Sequence, residues 1–298
     1  MPNDSHPAPG KAAEWKARTW TSRDGLELYF RDYPGSDERP PLLCLHGLTR
    51  NSRDFEAFAG RYAGRFRVIA VDFRGRGMSQ HDPQPGRYTP VTYAADVLQL
   101  LDELEIDRAL FVGTSLGGLV TMLVAGMQPQ RIAGAILNDV GPELDDRGLD
   151  RIRSYVGKQR RFANWDEAAG YVAGINRNLP ASNGPDDWVR AARRVCREDG
   201  DAIVFDYDMA IAEPFTRPKR EGGAEFDMWP LYRRLGRVPL LIVRGESSDL
   251  LSRTSAKAML DAAPGAQLVT VPGVGHAPEL SEPAAVAAID DFLARFTG

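Results

Sequence analysis

The sequence has little cysteine, no long apolar run and no excess of basic charge. Two cysteines in 298 residues are too few for a disulfide scaffold, so we expect a protein of a reducing compartment, the cytoplasm. No stretch approaches the roughly 20 apolar residues of a membrane-spanning helix, and the polar first residues hold no signal-peptide core. With 37 basic against 41 acidic residues the net charge is −4, which argues against a nucleic-acid partner, because phosphate binding requires clustered basic charge.

The composition is that of a folded, globular chain. Hydrophobic residues make up 43% and charged residues 26%, which argues against extensive disorder. A chain of this length buries roughly three quarters of the surface that its unfolded form exposes, so a large core is available. The length allows one large domain or two small ones.

Short apolar runs alternate with segments of helical periodicity. The runs are four to six residues long, which suits strands buried on both faces of a parallel sheet. Alternation of strands and helices predicts an α/β protein with a mostly parallel central sheet flanked by helices. The predicted strands of this sheet are Leu42–Leu45, Val68–Val71, Ala109–Val112, Ile132–Leu137, Leu240–Val243 and Gln267–Val271. The predicted helices between and after them are Asp54–Tyr62, Val91–Leu104, Leu116–Met127, Ser255–Ala263 and Glu282–Phe296.

One long segment interrupts this alternation. From Gly141 to about Gly236 no buried-strand series is found, and arginine, acidic and aromatic residues are frequent. We predict a helical cap at 142–236, inserted into an α/β core formed by 15–141 and 237–298, with a disordered tail at 1–14. The mixed charges of the cap are expected on a solvated outer face rather than around a charged substrate.

Residues 113–117, Gly-Thr-Ser-Leu-Gly, fit the pattern G-x-S-x-G. The motif directly follows a predicted strand and directly precedes a predicted helix, which is the setting of a nucleophile elbow. Residues without Cβ allow the tight, strained turn, and the serine then projects at a helix N-terminus that favours developing negative charge. This context favours a nucleophile at Ser115 over a simple glycine-rich turn.

With this motif in that setting, the chain resembles the α/β-hydrolase fold family from about residue 20 onward, the insertion being the least diagnostic part. The resemblance implies that Ser115 is the nucleophile. Haloalkane dehalogenases and epoxide hydrolases of this fold carry an aspartate at the elbow, so the serine argues against both activities. No cofactor is implied, and no cluster of residues has the spacing of zinc ligands.

A serine nucleophile requires a base, and the chain has four histidines. His6 lies in the tail, His46 closes a predicted strand and His81 lies in a loop. His276 lies in a glycine-containing loop between the last strand and the last helix, where the family places its catalytic histidine. We therefore predict that His276 is the base.

The third group is the acid that orients the imidazole. The family usually places it just past the strand that here is Leu240–Val243, and Asp249 fits this position best. Glu246 is a weaker candidate because it follows the strand too soon. Asp139 is a second alternative, since some family members place the acid after the preceding strand. We expect Asp249.

The segment His46-Gly47-Leu48 follows another predicted strand. The family uses this turn to donate one backbone N–H to the oxyanion, which maps onto Leu48, with Leu116 as the second donor. The His46 imidazole is expected to hold the loop in place. The stretch 72–79 is similar to the family's D-x-R-G-x-G-x-S and is expected to support the floor of the site.

These expectations combine into a serine hydrolase that cleaves a small carboxylic ester or lactone through an acyl-enzyme on Ser115. The only expected partner is a small-molecule substrate, with no membrane or nucleic acid; a homo-oligomer stays open. A hydrolase of carbon–carbon bonds in ring-cleavage products is an alternative, as is a non-catalytic binding protein on the same fold. Filled nucleophile, base and acid positions argue against the last.

Overall fold

The computed structural model describes residues 13–176, 184–216 and 226–297. Most of the predicted tail at 1–14 therefore lies outside the described residues. The strands in these ranges form one large and one small sheet. In chain order they are β1 (Lys16–Thr21), β2 (Glu27–Tyr33), β3 (Leu42–Leu45), β4 (Val68–Asp72), β5 (Ala109–Thr114), β6 (Ile132–Asn138), β7 (Arg161–Phe162), β8 (Cys196–Asp199), β9 (Ala202–Phe205), β10 (Leu240–Gly245) and β11 (Gln267–Val271).

The large sheet has eight strands in the order β1-β2-β4-β3-β5-β6-β10-β11. Pairing is antiparallel from β1 to β2 and from β2 to β4, and parallel across the rest of the sheet. Every residue of β3, β4, β6 and β10 is buried, as expected for apolar strands that helices cover on both faces. The predicted α/β class is confirmed.

Helices flank this sheet and also fill much of the insertion. Local signals fix several of their ends: the Thr89 hydroxyl accepts the Thr92 N–H at the start of the second helix, and Pro129 follows the third. The helices are α1 (Glu56–Tyr62), α2 (Pro90–Glu103), α3 (Leu116–Met127), α4 (Asp146–Tyr155), α5 (Trp165–Ile175), α6 (Pro185–Val195), α7 (Glu213–Thr216), α8 (Trp229–Leu235), α9 (Arg253–Ala262) and α10 (Pro283–Ala294).

The insertion between β6 and β10 contains more than helices. A small antiparallel sheet in the order β7-β9-β8 accompanies α4, α5 and α6. Its central strand β9 is a run of four buried apolar residues, too short and isolated to stand out in the sequence. Helix α8 packs on α3 of the core, where Leu231 lies against Gly126. The last helix of the predicted 142–236 segment therefore lies against the core.

Candidate active site

Ser115 lies on a sharp turn between β5 and α3. Its backbone is in the left-handed region, with φ 52° and ψ −114°, which is uncommon for a residue with a side chain. The turn is tight because neighbouring backbone comes close: a Cβ on Gly117 would lie 2.0 Å from the carbonyl oxygen of Leu45, and one on Gly113 would lie 2.6 Å from the backbone of Gly117. Glycine is thus required on both sides of the serine. The strained backbone turns the Ser115 side chain out at the carboxyl end of the sheet.

His276 lies beside Ser115, on the loop between β11 and α10. Its Nε2 is 3.0 Å from the Ser115 Oγ, and its side chain is 9% exposed. Its other ring nitrogen, Nδ1, is 2.8 Å from a carboxylate oxygen. The structure therefore brings the predicted nucleophile and the predicted base within hydrogen-bonding distance.

The carboxylate beside His276 belongs to Asp139, not to Asp249 as we expected. Asp139 follows β6 and is fully buried. Its Oδ2 contacts His276 and also accepts a hydrogen bond of 2.6 Å from the Ser248 hydroxyl. Its Oδ1 accepts the Gly245 N–H at 2.9 Å. Two donors, one at the end of β10 and one in the loop after it, thus fix the carboxylate that faces the imidazole.

Asp249 contacts the insertion, whereas the side chain of its neighbour Ser248 contacts Asp139. Its carboxylate pairs with both Nε and Nη2 of Arg151 on α4, at 2.5 and 2.9 Å. Burial alone would raise the pKa of Asp249, but the Arg151 guanidinium outweighs it and holds the pKa below its ordinary value. Glu246 is exposed and accepts the Gly273 N–H. In the loop after β10, Ser248 therefore contributes its hydroxyl to the active site, whereas the Asp249 carboxylate binds Arg151 of the insertion.

The turn after β3 lies against the nucleophile. A Cβ on Gly47 would be 3.8 Å from the Ser115 Cβ, and Leu48 borders the same cavity as Ser115. Leu116 is the first residue of α3, directly after the serine. Leu116 thus adjoins Ser115 in the chain and Leu48 lines the same cavity, and their role as oxyanion donors stays a prediction.

A cavity opens above Ser115 and His276, between the core and the insertion. The aromatic residues of the insertion that line it are Tyr155 and Trp188. Charged side chains line it as well, including Arg151 and Arg194 of the insertion. This differs from the expectation that the charges of this segment lie on an outer face.

The alpha/beta hydrolase family model matches residues 42–289, which include β3, the serine turn, Asp139 and His276. The chain belongs to the alpha/beta hydrolase family. A 3-hydroxybutyrate-oligomer hydrolase of Cupriavidus necator is 34% identical over 263 residues, covering 86% of this chain and 88% of that protein. A 2-(acetamidomethylene)succinate hydrolase of Mesorhizobium japonicum is 32% identical, covering 85% and 88%. A crystal structure of an alpha/beta hydrolase from Novosphingobium aromaticivorans superposes with a TM-score of 0.89 at 48% identity, covering 96% and 100%.

The D-x-R-G-x-G-x-S stretch of this α/β hydrolase holds the turn after β3. Arg76, a fully buried residue of that stretch, donates from Nε to the Leu48 carbonyl at 3.0 Å and from Nη1 to Tyr93 Oη at 2.8 Å. It has no carboxylate partner within the described ranges, whereas Arg74 pairs with Asp82 and Asp96. The contact of Arg76 with Leu48 was not predicted from the sequence. The only signal for it was a second arginine at a variable position of the motif.

His46 connects two loops of the hydrolase through its two ring nitrogens. Its Nδ1–H donates to the Gly47 carbonyl at 2.7 Å, which leaves Nε2 to accept the Phe73 N–H at 3.0 Å. The ring is fully buried, and burial lowers its pKa to about 3. His46 is therefore neutral at physiological pH, with one nitrogen donating and the other accepting.

Because His46 is buried and neutral, we expect the free energy of unfolding of the protein to fall as the pH is lowered. An unfolded imidazole titrates near pH 6.5, so between about pH 6.5 and 3 the unfolded chain binds one more proton than the folded chain at this site. The free energy of unfolding should drop by up to ~1.4 kcal/mol per pH unit from this residue alone. Urea unfolding of the wild type and His46→Asn at pH 4.5, 5.5 and 6.5 measures this slope.

The exposed His81 supplies the control for this experiment. His81→Asn should keep the wild-type slope, whereas His46→Asn should flatten it. Equal slopes in the wild type and in His46→Asn would show that His46 is not the group responsible.

The cysteines and the acidic residues give no further reactive cluster. Burial raises the pKa of the Cys44 thiol well above its ordinary value and that of Cys196 to about 12, so both thiols stay protonated. Within residues 13–176, 184–216 and 226–297 no three His, Cys, Asp or Glu side chains lie together as ligands for a metal ion. In the same ranges no helix is long and apolar enough to cross a membrane.

Proposed function

We propose that this protein is a serine hydrolase that cleaves a small carboxylic ester or lactone through an acyl-enzyme on Ser115. One observation carries the proposal: Ser115 Oγ, the His276 ring and the Asp139 carboxylate form a continuous hydrogen-bonded chain, with distances of 3.0 and 2.8 Å. These are the geometry and the order of groups that activate a serine. The acid in this proposal is Asp139, in place of Asp249.

The first half of the reaction forms the acyl-enzyme. Asp139 accepts the Nδ1–H of His276, which leaves Nε2 unprotonated and able to take the hydroxyl proton of Ser115. The serine oxygen then bonds to the substrate carbonyl carbon, and the N–H groups of Leu48 and Leu116 receive the resulting oxyanion. Each such donor contributes roughly 3–4 kcal/mol of transition-state stabilisation. Collapse of the intermediate breaks the ester C–O bond, and His276 returns its proton to the leaving alcohol.

The second half hydrolyses the acyl-enzyme. His276 takes a proton from a water molecule, whose oxygen attacks the acyl carbon. The bond to Ser115 breaks, the serine regains its proton from His276, and the carboxylic acid leaves. For a lactone the alcohol and the acid are the two ends of one product.

An ester is supported over a carbon–carbon bond by the relative named for 3-hydroxybutyrate oligomers, because hydroxy acids join to one another through ester bonds. We also propose that the insertion acts as a cap. Its helices supply cavity walls above Ser115, and the Arg151–Asp249 ion pair joins it to the core beside the site. A cap of this kind restricts the entry of water and shapes the substrate pocket.

The test is a substrate panel combined with covalent labelling. We expect the pure protein to hydrolyse short 4-nitrophenyl esters or lactones, and a fluorophosphonate to abolish that activity while adding its mass to the peptide containing Ser115. Turnover of ring-cleavage dienoates alone would replace the ester proposal by carbon–carbon hydrolysis. Absence of both labelling and turnover would favour a binding protein.

A further inference from the structure

The cavity above Ser115 is rich in guanidinium groups. Arg50, Arg151 and Arg194 line it, against two lining carboxylates, Asp54 and Glu279. Burying a charged group costs free energy unless a partner of opposite charge or a hydrogen-bond acceptor compensates it. An uncharged ester would not supply a partner of opposite charge for the arginines of this cavity. The pairing of each arginine shows which of them has donors to spare.

Two of the three arginines are engaged by carboxylates on two nitrogens each. Nε and Nη2 of Arg50 each donate to Asp54 at 2.7 Å. Arg151 makes the corresponding two bonds to Asp249. Bidentate pairs of this kind have well-defined geometry and are among the stronger hydrogen-bonded contacts in proteins. Their donors are therefore already committed to protein carboxylates.

Arg194 is different. In the described part of the chain its guanidinium makes a single hydrogen bond, from Nη1 to Glu279 Oε1 at 3.1 Å. The Glu279 side chain is 44% exposed, and a solvent-exposed ion pair contributes little free energy. The backbone of Arg194 is nevertheless fixed, because its carbonyl accepts hydrogen bonds from Asn51 and Arg53 of the core. The residue thus presents a cation with spare donors from an anchored position on the cavity wall.

We propose, on the basis of the serine-hydrolase function above, that Arg194 binds a free carboxylate on the substrate, so that the enzyme acts on short esters that also carry a carboxylic acid. Glu279 pairs with Arg194 in the free enzyme and is displaced by the substrate carboxylate. Arg50 lines the same cavity and packs beside Gly47 next to Ser115, but its guanidinium is already paired with Asp54. Arg194 is then a specificity residue, and the chemistry at Ser115 does not depend on it.

The test compares two esters with five-carbon acyl chains that differ only in the terminal group: 4-nitrophenyl hemiglutarate, which has a terminal carboxylate, and 4-nitrophenyl valerate, which has a methyl group. We expect the wild type to have a lower KM for the hemiglutarate. Arg194→Gln should raise that KM about 10- to 100-fold, because a charge-assisted hydrogen bond is lost, and at least tenfold more than it raises the KM for the valerate. Sodium chloride should raise the KM for the hemiglutarate selectively.

Glu279→Gln should change the KM for the hemiglutarate in the opposite direction to Arg194→Gln. This change removes the competing anion, so the KM for the hemiglutarate should fall. Arg193→Gln is the matched control: Arg193 is exposed on the same helix α6, where it lies over the Trp165 ring and does not line the cavity. It removes the same charge and should leave both KM values as they are.

Each outcome has a separate meaning. Equal KM values of the wild type for both esters, an equal loss for both esters in Arg194→Gln, or a rise of the hemiglutarate KM in Glu279→Gln would overturn the carboxylate subsite and leave the serine hydrolase intact. Failure of the wild type to hydrolyse either ester would instead contradict the proposed function. If Arg194→Gln does not fold, as judged by circular dichroism, the sign of the Glu279→Gln effect decides.

Discussion

Replacement of Ser115 by alanine should reduce kcat for 4-nitrophenyl valerate by about 10⁴- to 10⁶-fold. The Ser115 hydroxyl is the group on the strained turn that is hydrogen-bonded to the His276 base, and the proposed acyl-enzyme cannot form without it. KM should change little, because the cavity walls and the proposed oxyanion donors remain. Initial rates at saturating substrate, measured with freshly purified protein, test this expectation.

Ser154→Ala is the matched control for this experiment. Ser154 is exposed on α4, and its hydroxyl donates to the Arg151 carbonyl. The control should keep wild-type kcat. A Ser115→Ala enzyme that retains more than a tenth of wild-type activity would refute the serine mechanism, since residual catalysis by a bound water is far slower.

The second large effect is expected at Asp139. Asp139→Asn keeps the size of the side chain, but an amide nitrogen facing His276 Nδ1 favours the wrong tautomer, so we expect a loss of about 10⁴-fold in kcat. Asp249→Asn should cost at most about tenfold, mainly in KM, because it frees Arg151, which lines the cavity. Both variants are compared on one ester under saturating and limiting conditions.

Ser248→Ala adds a graded test of the same assignment. It removes one of the donors that fix Asp139 while leaving the Asp139–His276 contact, so its loss of kcat should lie between those of the two aspartate variants. If Asp249→Asn proved more damaging than Asp139→Asn, the acid would have to be assigned to Asp249.

The core and the serine turn were predictable because their signals are local. The predicted bounds of α3 and β11 coincide with the observed ones, since Pro129 follows α3 at its C-terminal end and turn residues flank β11. The strand–turn–helix setting of Ser115 depends on three neighbouring segments of sequence, and His276 followed from the small number of histidines together with the loop in which the resembled family places its catalytic histidine. These inferences needed no knowledge of how distant parts of the chain pack.

The acid and the cavity charges depended on tertiary structure. Asp139 follows β6 and Asp249 follows β10, so both were possible partners of His276. In the folded chain the Ser248 side chain contacts Asp139 and the Asp249 side chain contacts Arg151, which leaves Asp139 beside the imidazole. The inward position of Arg194 has a similar cause, because hydrogen bonds from Asn51 and Arg53, more than 140 residues away, fix the end of α6. Such contacts between distant residues cannot be inferred from residue types and their spacing in the sequence.

Asp139 precedes the start of α4 by only a few residues, and this has a practical consequence for engineering. The serine, the histidine, the aspartate and Ser248 all belong to the core, whereas Arg151 and Arg194 belong to the insertion. Because α8 packs on the core, a replaceable cassette runs from Asp145 to about Ala212. Exchanging this cassette with that of a relative would replace Arg151 and Arg194 in the cavity wall and leave the reaction centre, together with Arg50, Asp54 and Glu279 of the core, unchanged. On the proposed function, the insertion's part of the cavity can thus be altered while the residues proposed for bond cleavage stay the same.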